Sequence, residues 1–222
     1  MSWFWKSINS SIGKKLVMAI TGICLILFLK IHLFNNLTLF AGPEVFNTVV
    51  KSLDSIKPLI RVIEVILATI FVLHIFNGIK LYFENRKARP VEYTISGAAK
   101  NSTLFSRTMI HSGTIILIFL VVHLRTMWVS FNFDAQIHEN HTYYETVAAA
   151  FQNPIYASFY ILAMFMLGFH LNHGFQSAFQ TFGWNNNKYF PIIKIIGTVY
   201  SVLVALLFAS IPVYFLFFFG GN

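Results

Sequence analysis

The chain of 222 residues holds a single cysteine, Cys24. A lone thiol excludes an internal disulfide, a multi-cysteine zinc or iron–sulfur site and a CxxCH attachment for c-type haem. Charge is scarce as well. Asp, Glu, Lys and Arg make up 11% of the residues, where a soluble domain carries about 25%. Acidic residues are the scarcer sign, 8 against 16 basic. Their near absence from the apolar stretches argues against an ion-coupled transporter. No NAD, nucleotide or phosphate motif appears, and no soluble domain is present to oxidise a metabolite. The opening MSWFWKSINSSIGKK lacks the form of a cleavable signal, because aromatics precede the basic residues and no small-residue cleavage site follows. It reads as an interfacial lead-in with Trp3 and Trp5 at headgroup level.

Apolar residues fill the space that charge leaves. They account for 56% of the chain, with 25 Phe and a mean hydropathy of +0.66. That places the chain in the membrane class, where a net charge of +8 reflects basic cytoplasmic loops and not nucleic-acid binding. A spanning helix needs about 20 apolar residues. Five stretches qualify: I from Leu16 to Leu39, II from Leu59 to Phe83, III from Ser106 to Trp128, IV from Pro154 to Phe179 and V from Pro191 to Phe219. Pro154 suits a first turn, and Pro212 is expected to bend V. The fold expected is all-α, one transmembrane domain over residues 1–222, with helices I–IV bundled around the site described next. A short amphipathic piece is expected between I and II, up to Lys57-Pro58. Basic residues mark one membrane side: Lys6, Lys14 and Lys15, then Arg86, Lys87, Arg89, Lys100 and Arg107, then Lys188 and Lys194. This side is assigned to the cytoplasm. The III–IV loop, with Asp134, Glu139 and Glu145, falls outside; Lys51, Lys57 and Arg61 of the I–II loop weaken the contrast.

Four of the five stretches carry a deep ionisable group, which is costly at membrane depth and usually functional. The groups are His32, His74, His123 and His170. At 1.5 Å per residue, His32 lies about 26 Å beyond Lys15, and His123 about 24 Å beyond Arg107. II and IV run the other way, so His74 and His170 lie nearer the inner side. The histidines therefore sort into an outer pair, His32 with His123, and an inner pair, His74 with His170, at levels roughly 15 Å apart. Small residues repeat the pairing. Thr21-Gly22 and Ser112-Gly113 precede His32 and His123 at one spacing, and Gly78 and Gly174 follow His74 and His170 at another. Thr21 and Ser112 fall about 16 Å from their histidines along the same helix face. That is the inner level, where small residues leave room for a large flat ligand.

This pattern points to two iron porphyrins, each held between two imidazoles. Such iron has no open position, so it moves electrons and does not bind oxygen. Propionates need cationic or hydrogen-bonding partners. Lys80, Arg107 and Lys100 are the inner candidates, and Lys30 and Arg125 the outer ones; snorkelling at a helix end explains Lys80 and Arg107 equally well. His173 is the alternative to His170 but lacks a glycine four residues on. His111 reads as interfacial or near an inner propionate, and His138 and His141 as solvated loop residues. A chain of this kind takes electrons from a partner and passes them to a mobile carrier such as a quinone.

The residues resemble a known family at this point. TGICLILFLKIHLF, GPEVFN, LHIFNGI, SGTIILIFLVVHLRT and FHLNHGFQSAFQTFGW look like the single-chain di-haem cytochrome b anchors of succinate:quinone oxidoreductases, that is, of succinate dehydrogenase and fumarate reductase. The resemblance runs from Ser11 to Trp184. It implies two haem b groups with metal ligands His32/His123 and His74/His170. It also implies a flavoprotein subunit and an iron–sulfur subunit on the cytoplasmic face, menaquinone or ubiquinone as substrate, no succinate chemistry in this chain, and a bacterial inner membrane with the N-terminus cytoplasmic. Glu44 matches an acidic position of the first loop in some relatives and is the candidate for proton handling at an outer quinone site. Some di-haem fumarate reductases carry an acidic residue two positions before the histidine of IV. Here that position is Gly168, which puts that proton route in doubt. The rival readings are a di-haem cytochrome b of a hydrogenase or formate dehydrogenase, and a haem-free membrane transporter or anchor.

Overall fold

A computed structural model describes residues 3–88, 107–140 and 142–219, the side chains of 4 and 5 excepted. Among these residues the chain is helical and has no strand. In order it forms α1 (Trp3–Asn9), α2 (Ser11–Leu37), a 3₁₀ turn (Thr38–Ala41), α3 (Pro43–Ser55), α4 (Lys57–Lys87), α5 (Met109–Phe133), α6 (Ala135–Asn140), α7 (Tyr143–Gln152), α8 (Pro154–Thr181) and α9 (Phe190–Phe217). Five of them, α2, α4, α5, α8 and α9, are long and apolar enough to cross a membrane. They answer to the stretches I to V.

The ends follow from local chemistry. Ser10 caps α2 by accepting the Gly13 amide at 3.0 Å, and Asn153 caps α8 by accepting the amides of Ile155 and Tyr156 at 3.0 and 3.2 Å. Such caps contribute about 1 kcal/mol each. Gly42, at φ +93°, turns the chain into α3, a backbone region closed to most side chains. The amphipathic piece expected between I and II is α3. The spanning helix α4 runs past its apolar stretch to Lys87, because its basic ends can reach the headgroups. Beyond His123, α5 passes through one π turn, Leu124–Trp128, and continues to Phe133. The helix α9 continues through Pro212.

The centre of the bundle is α8, packed against α9, α5 and α2, while α2 also packs against α4 and α9. Lipid gives no hydrophobic reward for joining helices, so close contact must come from small residues. Buried small residues on α8 and α9 include Ala157, Ala163, Ala205 and Ala209, and Gly168 packs against Ala205. A Cβ on Gly168 would stand 3.0 Å from that of Ala205. The position therefore faces α9, where an acidic side chain has no room. The flanking helices α4 and α5 are poorly covered: Asn77 is the buried residue of α4, and Ser112 that of α5 ahead of its π turn.

Polar clamps hold the two ends. At one end Lys14 pairs with Glu84 at 2.5 Å, and Asn77 donates to the Lys14 carbonyl at 2.7 Å. At the other, Arg61 reaches Glu64 and Asn132 at 2.6 and 2.7 Å, Trp128 donates to Glu64 at 2.9 Å, and the guanidinium lies over the Trp128 ring. His138 is not a solvated loop residue. It sits on α6, with Nδ1 3.0 Å from the Tyr143 hydroxyl and 3.6 Å from Asp54. Burial and the adjacent Asp54 push the Tyr143 phenol above its usual value. Arg89, Lys100, His141, the Trp5 side chain and the C-terminal residues 220–222 lie outside the described residues.

Candidate functional site

The structure brings the four histidines together as two pairs. The rings of His32 on α2 and His123 on α5 have centroids 5.8 Å apart, at 83° to one another. Those of His74 on α4 and His170 on α8 are 6.3 Å apart, at 66°. The helix pairs that carry them, α2 with α5 and α4 with α8, are not among the close-packed neighbours. The imidazoles therefore meet across gaps between helices.

The inner pair is held by the small-residue motifs of the opposite helices. Thr21 Oγ1 lies 3.0 Å from His74 Nδ1 and gives its own proton to the Val17 carbonyl at 2.8 Å. Ser112 Oγ lies 3.3 Å from His170 Nδ1 and gives its proton to the Met109 carbonyl at 3.1 Å. A hydroxyl whose proton is spent in this way accepts from Nδ1–H, which leaves Nε2 as a bare lone pair. A Cβ on Gly22 would stand 3.5 Å from His74 Cε1, and one on Gly113 3.5 Å from His170 Cε1. Thr-Gly and Ser-Gly thus seat the imidazoles themselves, a closer role than leaving room for a flat ligand. Because Thr21 and Ser112 are eleven residues from His32 and His123, these bonds set the two pairs about 16 Å apart along the helices.

The outer pair is lined with aromatics. Phe28 stacks on His32 at 5.3 Å and Phe119 on His123 at 5.5 Å, each from one helical turn earlier. Phe208 of α9 approaches His32 at 5.9 Å. Tyr160 of α8, 5% exposed, brings its hydroxyl to 3.2 Å from His123 Nδ1. The amide of Asn36 is 3.4 Å from His32 Nε2, a long contact, and 2.8 Å from the His32 carbonyl. Neither Phe28, Phe119 nor Tyr160 was legible as a site residue, although FLKIH and FLVVH repeat a phenylalanine four residues before the histidine.

The remaining expected residues lie as follows. A Cβ on Gly78 would stand 3.2 Å from the Met18 methyl, and one on Gly174 would meet open space. Lys80 donates to Asn9 at 3.3 Å. Lys30, Arg107, Arg125 and His111 are exposed, Arg125 within the π turn; His173 is half-buried. Glu44, exposed in the first turn of α3, lines a surface recess of about 500 Å³ with Pro43, Asn47, Thr48, Lys51 and Asn140.

The donor set fits bis-imidazole haem. With metal–nitrogen bonds of about 2.0 Å and about 1.1 Å from nitrogen to ring centre, two imidazoles sharing one metal stand about 6 Å apart. Both pairs meet that separation. Among the described residues no group of three or more His, Cys, Asp and Glu could hold an ion. Pairs suffice only for a metal that brings further donors, as porphyrin iron does.

The family model described as succinate dehydrogenase/fumarate reductase transmembrane subunit matches residues 15–95 and 84–206. No curated protein and no solved structure matches the chain.

Proposed function

The chain belongs to the family of succinate dehydrogenase/fumarate reductase transmembrane subunits, and from that premise we propose that it carries electrons through two bis-histidine haems b between an iron–sulfur partner and a membrane quinone. As a subunit of a succinate:quinone oxidoreductase it anchors the complex with its spanning helices. His74 and His170 hold the inner haem, and His32 and His123 the outer one. The observation that carries this reading is the meeting of the four imidazoles as two pairs, each across a gap between helices.

Held in this way, haem supplies a one-electron couple with no open coordination position. The protein supplies orientation and dryness. Thr21, Ser112 and Tyr160 fix ring tautomers through Nδ1. Phe28 and Phe119 stack on the outer imidazoles and keep water from them. The inner pair faces the end carrying Lys14 and Lys80, assigned to the cytoplasm of a bacterial inner membrane, where the flavoprotein and iron–sulfur subunits dock. The outer pair faces α3, α6 and α7. Reduction of a quinone takes up two protons with two electrons, and Glu44 on α3 is the proton-handling candidate there.

The test is succinate-driven reduction. The complex purified through this chain should contain flavin and iron–sulfur subunits, and succinate should reduce its b-type absorption. Absorption that dithionite reduces and succinate does not, with a different catalytic partner, would move the chain to another oxidoreductase. Absence of any haem absorption would return the histidines to helix packing.

A further inference from the structure

His123 differs from the inner histidines in the partner of its Nδ1. Theirs are aliphatic hydroxyls of neighbouring helices, each spending its proton on its own backbone. That of His123 is a phenol, Tyr160, at 3.2 Å. The Tyr160 hydroxyl in turn lies 2.5 Å from that of Tyr156, one turn earlier on α8. The path starts at His123 on α5 and crosses to Tyr160 and then Tyr156 on α8.

A row of hydroxyls can be polarised in either direction. If it runs towards His123, Tyr160 donates to Nδ1 and the ring carries its proton on Nε2. If it runs away from His123, Nδ1–H donates to Tyr160 and Tyr160 to Tyr156, and Nε2 is left bare. A metal on Nε2 admits only the second direction. Successive donation polarises each bond, so Tyr160 becomes a stronger acceptor than a lone hydroxyl.

We propose that Tyr160 is a positioning residue for the outer haem: with Tyr156 behind it, it draws on the Nδ1 proton of His123, fixes the ring for ligation through Nε2 and holds the outer haem's midpoint potential down. A stronger pull on Nδ1–H makes the imidazole a better electron donor, which favours the oxidised iron. The inference rests on the bis-histidine reading above. The phenol-backed path reaches the outer pair and not the inner one, so it acts on one haem of the two.

The test is a potentiometric titration of the purified complex, following the two b-type components separately. Tyr160→Phe keeps the ring packed against Phe119 and Phe151, whose centroids lie 4.8 and 5.0 Å away, and removes only the hydroxyl. With haem content unchanged, the outer midpoint should rise and the inner one stay. A tenfold change in the oxidised-to-reduced ratio at fixed potential corresponds to about 59 mV for one electron. Tyr156→Phe should shift the same component, in the same direction and by less. It also serves as the second variant should Tyr160→Phe lose haem. Unchanged potentials in Tyr160→Phe with both haems bound would overturn the proposal, as would an equal shift of both components or a Tyr156→Phe shift in the inner one. A wild-type complex with no haem would overturn the bis-histidine reading itself, and is checked before any variant is made.

Discussion

Gly22 offers a graded test of the inner site. A Cβ there would stand 3.5 Å from His74 Cε1, an ordinary van der Waals contact, so Gly22→Ala should keep both haems. Leucine adds a branched carbon roughly 1.5 Å further out. On the His74 side, that carbon would overlap the imidazole and press it off Thr21 Oγ1, its partner at 3.0 Å. Overpacking of this kind costs about 1–3 kcal/mol, and disturbing the group that orients a metal-bound histidine typically costs 10–100-fold in metal affinity. Those figures describe the same loss, since 1.4 kcal/mol is about tenfold. Gly22→Leu should therefore lower haem content from two per chain towards one and spare the outer component, which lies about 16 Å away. The assay is pyridine haemochrome against protein, with a reduced-minus-oxidised spectrum to show which component remains. Two haems in Gly22→Leu, with the ordinary spectrum, would refute the close seating of His74 on α2.

Further substitutions probe the remaining parts. His170→Leu should remove the inner component while His173→Leu leaves both, as read from the same spectrum; the reverse result would exchange the two assignments. Glu44→Gln should slow quinone turnover at unchanged haem content, and unchanged turnover would remove Glu44 from proton handling. Tyr143→Phe deletes a hydroxyl bonded to His138 and Asp54. It should lower the thermal midpoint by an amount matching about 0.5–1.5 kcal/mol, with haem spectra unchanged. Arg61→Ala unfastens α4 from the π turn and its flank on α5. A partly exposed pair of this kind contributes little by itself, so the expected sign is faster loss of the outer component on heating.

The apolar lengths made the five spanning helices legible, because a bilayer demands a fixed length whatever the neighbours are. Depth along those helices was enough to sort His32 with His123 and His74 with His170, since helix rise is constant. Helix ends were less legible. The extension of α4 to Lys87 depends on how far basic side chains reach, and the π turn after His123 has no composition that announces it. Interactions across helices were the hardest. Tyr160 stands 37 residues from His123, and nothing in the local pattern joins them. Thr21 and Ser112 were placed at the inner level, but their contacts with Nδ1 were not legible, because only the fold shows that a hydroxyl there meets a histidine of another helix. His138 looked solvated because its partners Tyr143 and Asp54 converge from separate elements.

The claim that four histidines hold two haems is most directly tested by haem stoichiometry in the purified complex, first for the wild type and then for His32→Leu and His74→Leu. Two b haems per chain are expected in the wild type. The first variant should lose the outer component alone and the second the inner alone. A wild-type chain with no haem, or both variants keeping two, would contradict the assignment.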